Sequence, residues 1–343
     1  MIGLGIETSC DETSIGVVKD GTKLLSLQTY SQIELHTLHN GIVPEIASRS
    51  HLEKINSLID IAILESEIKL KDLDYISVTN RPGLLGSLLV GVQTAKALAL
   101  ALDKPLIPID HLEAHLSIIM LEKKFPDYPF LGLLLSGGNT AIFIVKSPDK
   151  MITIGDTLDD ALGEAFDKVG ILLGMGYPAG AEIEKIANMH TKKKGDVAIF
   201  PKILKENSEK IQFSYSGIKT SVIQYIKKNP DFKDNLPKLC FDFQNSVFEL
   251  VERNLLKAIE SSGIKTVVAG GGVMANFTLR ERLNNLALNH NFHLLYPEKK
   301  IYCTDNGAMV ACQGFLLLKN FNSNDTDFTI SPSRENYNYE TKA

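Results

Sequence analysis

The sequence predicts a duplicated α/β core, each half a mixed sheet with helices on its faces. Three observations carry this. A buried strand, a small-polar turn and a Thr/Ser-led return strand occur at ETSCDETSIGVV near the start and again at LLSGGNTAIFIV near residue 133. Each copy is followed by a third strand and then helices, the order expected of α/β units rather than of an all-β or all-α chain. The length of 343 residues, 44% of them apolar, suits two domains of ordinary size.

The elements follow in order. IGLGIET, TSIGVVKD and KLLSLQTY read as three strands around the turn CDE. A helix is predicted over 43–66: Pro44 sits in its first turn, and Ile46, Ala47, Leu52, Ile55, Leu58, Ile59 and Ala62 recur at helical spacing. A strand at 75–79, a long helix after Pro82-Gly83, a strand at 106–109 and a helix from about 111 complete the first half. The second begins with strands from 130 and MITIGDT, then helices at about 158–173 and 180–190, another after Ser216-Gly217, and a long one at 237–262. Strand KTVVA leads into Gly270-Gly271-Gly272 and a helix, followed by strand FHLLY and a closing helix from about 305. This gives lobes over 1–128 and 129–320, the second with a Lys-rich helical insertion at about 158–262, and a polar tail over 321–343.

Composition narrows the class. Charged residues at 22% beside this apolar content exclude a mainly disordered chain, a collagen-like fibre and a coiled-coil rod. Cys10, Cys240, Cys303 and Cys312 form no C-x-x-C pair and are too few for a disulfide framework, which points to a reducing, cytoplasmic setting. The N-terminus has no basic n-region, and Glu7 interrupts its apolar stretch, so a signal peptide is not expected. The window 84–102 carries Ser87, Gln93, Thr94 and Lys96 and reads as a buried amphipathic helix rather than a membrane span. Net charge is −5, yet residues 192–238 hold 11 lysines against five acids, leaving 25 basic and 36 acidic residues elsewhere. Such a basic segment on an acidic body fits a phosphate-backbone partner and also fits a plain solvated surface.

Several groups of residues can carry chemistry. Ser136 to Thr140 is a turn between apolar strands, where Gly137 and Gly138 let backbone N–H groups approach an anion; it also reads as an ordinary hairpin turn. Its likeness to Thr8-Ser9-Cys10-Asp11 favours a phosphate cradle. Gly270 to Gly272, with Asn276 in the first turns of the following helix, suits a phosphate or an adenosine. The spacing Gly270-x-Gly272-x-x-Ala275 resembles a dinucleotide fingerprint but lies too late in the chain for one. Asp160, Glu164 and Asp167, at i, i+4 and i+7, are expected on one helical stripe, ending near Gly176-Tyr177-Pro178 and Gly180. His111 and His115, at i and i+4 in HLEAH, project from one helical face in a metal-ligand arrangement. Glu113 lies roughly 200° round the helix from His111 and is poorly placed as the general base of a zinc protease. Two histidines are not yet a site; Asp305 is a candidate third ligand, and two His with one carboxylate suit non-haem iron or zinc.

GIETSCDETS, GIVPEIASRSH, PGLLGSLLVGVQTAKALA, HLEAH, LLSGGNT, TLDDALGEAFDKVG, GYPAGAEIEKIA, FSYSGIKT, AGGGVMAN and TDNGAMVA run in this order from residue 3 to about 312. Together they resemble the TsaD family, the tRNA N6-adenosine threonylcarbamoyltransferases, over some nine-tenths of the chain. The resemblance implies the actin/Hsp70/sugar-kinase fold, with two ribonuclease-H-like lobes around a central cleft. It implies transfer of threonylcarbamoyl from threonylcarbamoyl-adenylate to the adenosine 3′ of the anticodon in tRNA, with release of AMP. Carried over residue by residue, His111, His115 and Asp305 match the metal ligands, usually of Fe2+, with Zn2+ an alternative. Leu134, Leu135, Ser136, Gly137, Gly138, Asp167, Gly180 and Asn276 match substrate- or nucleotide-binding positions. TsaB- and TsaE-type proteins are the implied partners, and no membrane is involved. No catalytic base is implied by the motifs. The chain departs from the family pattern at Ala179 and Ala181, at Asn80-Arg81, at Asn40-Gly41 and at Asp242. A nucleotide-binding scaffold without catalysis and an ATPase or kinase of the same superfamily remain the readings from other classes.

Overall fold

Strands alternate with helices twice along the chain in the computed structural model, which describes residues 1–39, 41–191, 195–200, 210–321 and 327–333. The first half runs β1 (Ile2–Glu7), β2 (Glu12–Lys19), β3 (Lys23–Ser31), α1 (Ile33–Thr37), α2 (Pro44–Glu65), β4 (Tyr75–Arg81), α3 (Leu85–Leu102), β5 (Leu106–Asp110) and α4 (His111–Ser117). Next come β6 (Phe130–Leu135), β7 (Thr140–Ser147), β8 (Lys150–Thr157), α5 (Leu162–Leu172), α6 (Gly180–Ala187), β9 (Gln212–Phe213) and α7 (Ser216–Lys228). The remainder is α8 (Leu236–Ser262), β10 (Thr266–Gly270), α9 (Phe277–His290), β11 (His293–Leu295) and α10 (Gly307–Leu317).

The chain divides into two compact units. One holds Met1–Phe125 together with the described residues from Thr304 onward, and the other holds Pro126–Cys303. In the first, a five-stranded sheet has the order β3-β2-β1-β4-β5. β1, β2 and β3 form an antiparallel meander, while β1, β4 and β5 run parallel. In the second, the order is β11-β10-β6-β7-β8-β9. β6, β7 and β8 form the meander, and β6, β10 and β11 run parallel. Apart from the two-residue edge strand β9, the two sheets share one topology, so the repeat read in the sequence is a repeat of fold.

Each sheet buries its own core. In the first unit Leu4, Ile6, Ile15 and Val17 pack with Ile55 and Ile59 of α2 and Val92 of α3. In the second, Phe166 of α5 meets Phe243 and Phe248 of α8 at ring-centroid distances of 5.1 and 5.9 Å. Complete burial of such side chains contributes about 1.5–3 kcal/mol each. Helix α3 is long and apolar enough by composition to cross a membrane. It nevertheless buries Leu88, Gly91, Val92, Ala95 and Ala99 as one stripe, against β4 and α2.

Some elements differ from the sequence reading. The closing helix, assigned by chain order to the second lobe, packs on β1, β2 and β4 of the first sheet. Gly5 and Gly16 permit this: a Cβ on Gly5 would lie 2.0 Å from the Gly307 carbonyl oxygen, and one on Gly16 would lie 2.3 Å from the Ala308 nitrogen. Helix α5 begins at Leu162, not near 158, because Asp159 is engaged elsewhere. Its carboxylate accepts from the Tyr215 and Ser216 nitrogens, at 2.7 and 3.3 Å, and from the hydroxyls of Ser214 and Ser216, which fastens the start of α7. The glycine run does not open an α-helix directly. A 3-10 turn over Gly272–Ala275 intervenes, and Asn276 caps α9. The predicted polar tail lies largely outside the described residues, as do Asn40 and Lys192–Lys194.

Candidate metal centre

The first site sits at the C-terminal ends of the parallel strands β1, β4 and β5, the edge where open α/β sheets usually carry ligands. Asp110, the last residue of β5, caps α4. Its Oδ1 accepts from the Leu112 nitrogen at 2.9 Å and the Glu113 nitrogen at 3.4 Å. The buried Arg81 Nε donates to the other Asp110 oxygen at 3.1 Å. The first turn of α4 is therefore held from both sides. His111 and His115, one turn apart, share its face.

Asp305 reaches these histidines from just before α10. His111 Nε2 and His115 Nε2 are 3.2 Å apart, and Asp305 Oδ1 lies 3.5 and 3.1 Å from them. Two ligands of one ion with bonds of about 2.0–2.2 Å stand roughly 2.8–3.5 Å apart. The three atoms thus match the spacing of one coordination sphere. Their chemistry, two imidazoles and a carboxylate, fits a divalent transition metal, and these three residues form a possible metal-holding group. Glu113 is buried elsewhere and accepts from Gln313 Nε2 at 3.4 Å, in line with the helical-wheel argument against it as a base.

The surroundings are acidic. Burial, together with Asp11 and Asp305, holds the Glu12 carboxyl well above the ordinary range. Burial by itself would lower the His111 imidazole, but Asp305 and Glu7 raise it to about 9. Burial would raise Asp305, whereas His111 and His115 bring it down to about 2. A site whose two histidines are buried and which carries surplus negative charge recruits a cation, here a proton on His111 or a metal ion.

The sequence reading missed Glu7. It is completely buried at the end of β1, with Oε2 3.1 Å from His111 Nδ1. Its signal was visible as the single charge in an otherwise apolar strand. The turn Thr8–Asp11, likened to a phosphate cradle, is built around the same groups: the Ser9 nitrogen donates to Glu7 Oε1 at 2.6 Å, and Ser9 Oγ lies 3.2 Å from His111 Nδ1. His51 supports it from α2 through the Cys10 carbonyl at 3.0 Å.

The remaining candidates lie in the second unit. Leu134 and Leu135 are buried at the end of β6, so only their backbone can address a ligand. The turn after them closes as a hairpin, with the Ser136 nitrogen donating to the Asn139 carbonyl at 2.8 Å. Two glycine segments meet it. Gly163 donates to the Ser136 carbonyl at 3.2 Å, and a Cβ on Gly271, whose φ is +96°, would lie 2.5 Å from the Leu135 carbonyl oxygen. By contrast, a Cβ on Gly137, Gly138, Gly180 or Gly272 would meet nothing within 4 Å. Protein packing does not demand glycine there, and the space beside each is open. Asp167 Oδ1 accepts from the Ala179 nitrogen at 2.8 Å, beside Gly180 at the start of α6. Asn276 accepts from the Leu279 nitrogen at 2.9 Å and donates to Gln244 Oε1 at 3.1 Å.

The acidic stripe is not continuous. Asp160 precedes α5 and takes Lys168 and Lys219 at 2.6 and 2.7 Å, Glu164 shares Lys168 at 2.9 Å, and Asp167 turns to Ala179. In the Lys-rich segment Lys219 and Lys238 are ion-paired with Asp160 and Asp242, whereas Lys227, Lys228 and Lys233 are exposed. Asp242 also accepts from the Ile199 nitrogen at 3.0 Å, which gives this departure from the family pattern a structural use.

A family model described as TsaD, tRNA N6-adenosine threonylcarbamoyltransferase, matches residues 23–312. A protein of that name from Leptospira interrogans is 52% identical over 336 residues, covering 98% of this chain and 99% of its own. Another, from Treponema denticola, is 45% identical over 333 residues, covering 96% of each. Among solved structures, HypF from T. kodakarensis aligns with a TM-score of 0.59 at 15% identity, covering 93% of this chain and 48% of that one. The ROK hexokinase from Thermus thermophilus aligns with a TM-score of 0.50 at 13% identity, covering 93% and 100%. These distant neighbours bear on the fold, which is of the actin/Hsp70/sugar-kinase type, and the close relatives settle the lineage: the chain belongs to the TsaD family of tRNA N6-adenosine threonylcarbamoyltransferases.

Proposed function

We propose that the protein transfers the threonylcarbamoyl group of threonylcarbamoyl-adenylate to the N6 amine of the adenosine 3′ of the anticodon. The amine nitrogen forms a bond to the carbamoyl carbon, the bond from that carbon to the phosphate oxygen breaks, AMP leaves with the electron pair, and the amine loses a proton. The observation that carries this reading, beside family membership, is the triad of His111, His115 and Asp305 at mutual distances of 3.1–3.5 Å. A scaffold that only binds nucleotide has no use for it.

The donor is a mixed anhydride with a good leaving group, so the protein's work is orientation and charge stabilisation. His111, His115 and Asp305 would hold a divalent ion, iron first and zinc second. Bound there, the ion supplies a Lewis acid for carbonyl or hydroxyl oxygens of the threonylcarbamoyl group. In the second unit, Ser136, Gly137 and Gly138 offer backbone and open space to a phosphate, and we assign Asp167, Gly180 and Asn276 to the nucleoside. Exposed Lys227 and Lys228 belong to the tRNA surface in this reading; Lys192–Lys194, assigned with them from the sequence, lie outside the described residues. TsaB- and TsaE-type proteins act with it, in the cytoplasm.

The test mixes the protein with unmodified tRNA, threonylcarbamoyl-adenylate generated in place and TsaB- and TsaE-type partners. The tRNA is then digested and its nucleosides are analysed by mass spectrometry. Threonylcarbamoyladenosine forms with wild type and falls at least about 100-fold with His111→Ala, the scale expected when a major charge-stabilising group is removed. Product from both proteins would remove the metal from the mechanism. No product from either, with a known enzyme active in the same mixture, would return the scaffold or ATPase reading.

A further inference from the structure

We infer that Glu7 is a positioning residue of the metal centre: as the nearer of two groups at His111 Nδ1, beside Ser9 Oγ, it orients His111 so that Nε2 faces the ion. The inference rests on the metal reading above and extends it to a residue outside the ligand set.

The geometry is one-sided. Glu7 Oε2 stands 3.1 Å from His111 Nδ1. An ionised carboxylate only accepts, so the hydrogen resides on Nδ1 and Nε2 presents its lone pair on the side of His115 and Asp305. Glu7 is itself fixed. Thr79 Oγ1 donates to Oε2 at 2.5 Å and the Ser9 nitrogen to Oε1 at 2.6 Å, so strand β4 and the turn after β1 both hold the carboxylate in place. His115 has no such support: its Nδ1 is buried without a hydrogen-bond partner among the described residues. The outer support of the pair thus falls on the His111 side, and a carboxylate behind a metal-bound imidazole typically changes metal affinity by about 10–100-fold.

The experiment uses the full chain, stripped of metal and titrated with Zn2+ or Co2+ against a chromophoric chelator, with the cobalt absorption spectrum as a second readout. Glu7→Gln keeps the volume and replaces an acceptor oxygen by an amide. The expected result is a dissociation constant raised about 10–100-fold and a shifted cobalt spectrum, with the metal-free variant still unfolding in one cooperative transition. In a His111→Ala background the same substitution changes affinity less than about twofold, because its route is gone, while in a His115→Ala background the loss persists. Should Glu7→Gln fail to fold, Glu7→Asp keeps the charge and draws the oxygen back from Nδ1, with a smaller loss in the same direction. Affinity within about twofold of wild type in a folded Glu7 variant overturns the inference, and so does an equal loss in the His111→Ala background. If wild type itself binds neither ion, the metal reading fails and this inference fails with it.

Discussion

At His111 a buried imidazole is placed among carboxylates, and its proton competes with a metal for the same lone pair. Its value of about 9 lies above the roughly 6.5 of an unfolded chain. The folded, metal-free protein therefore binds more protons than the unfolded one between these values. The stabilisation is complete below about pH 6.5 and is lost as pH rises through about 9. We expect the melting temperature of metal-free protein to fall across this window and that of His111→Gln to fall less. Metal affinity should move oppositely, rising by up to about tenfold per pH unit until His111 is deprotonated, measurable by Zn2+ competition at stepped pH. Arg81 offers a second residue-scale test. It is buried against Asp110, the cap of the histidine helix, so Arg81→Met should cost about 3–5 kcal/mol in denaturant unfolding by removing the guanidinium from a buried carboxylate.

Between elements, the approach of helix α5 to the segment before α6 is decided by one methyl group. The Ala179 side chain is fully buried, and a Cβ on Gly170 would lie 2.0 Å from it. The Ala179 methyl group is thus accommodated by a glycine on the neighbouring helix. Gly170→Ala should destabilise by about 1–3 kcal/mol, and adding Ala179→Gly should recover most of the loss. Chemical denaturation of the two single variants and the double variant checks this; additive losses would show that the two positions do not share the space.

Across the whole chain, both ends build the first unit. Gly5 and Gly16 of the first two strands seat α10, and Asp305 stands just ahead of that helix, nearly 200 residues from His111. A Gly5→Ala change should lower stability by about 1–3 kcal/mol or more and weaken Zn2+ binding as well, although residue 5 is no ligand. A melting curve and a metal titration on one sample test both effects. At the same scale the charge is uneven, with the basic excess in 192–238 on an acidic chain. Lys227→Glu with Lys228→Glu should weaken tRNA binding and flatten its salt dependence by roughly two phosphate contacts. Unchanged affinity and slope would remove this surface from tRNA recognition.

Local pattern was enough for much of this. Alternation of apolar residues and the glycine and proline punctuation marked most strands and helices, because period and turn chemistry are properties of neighbouring residues. The repeated strand-turn-strand marked the duplicated topology, and the spacing of His111 and His115 put both on one helical face. Other features depended on residues distant in the chain. The sequence could offer Asp305 as a third ligand only by its chemistry, since closing the triangle requires α10 to cross β1 and β2 on their glycines. Glu7 could not be linked to His111, because strand pairing between β1 and β4 sets where the end of β1 lies. The acidic stripe was lost for the same reason: helical spacing assumes a helix, and Asp159 and Asp160 are drawn out of it by Ser214, Ser216 and Lys219. Sequence determined which groups were available and which neighbours shared a face; tertiary packing decided which distant groups met, because hydrogen bonds and ion pairs act over a few ångströms regardless of chain separation.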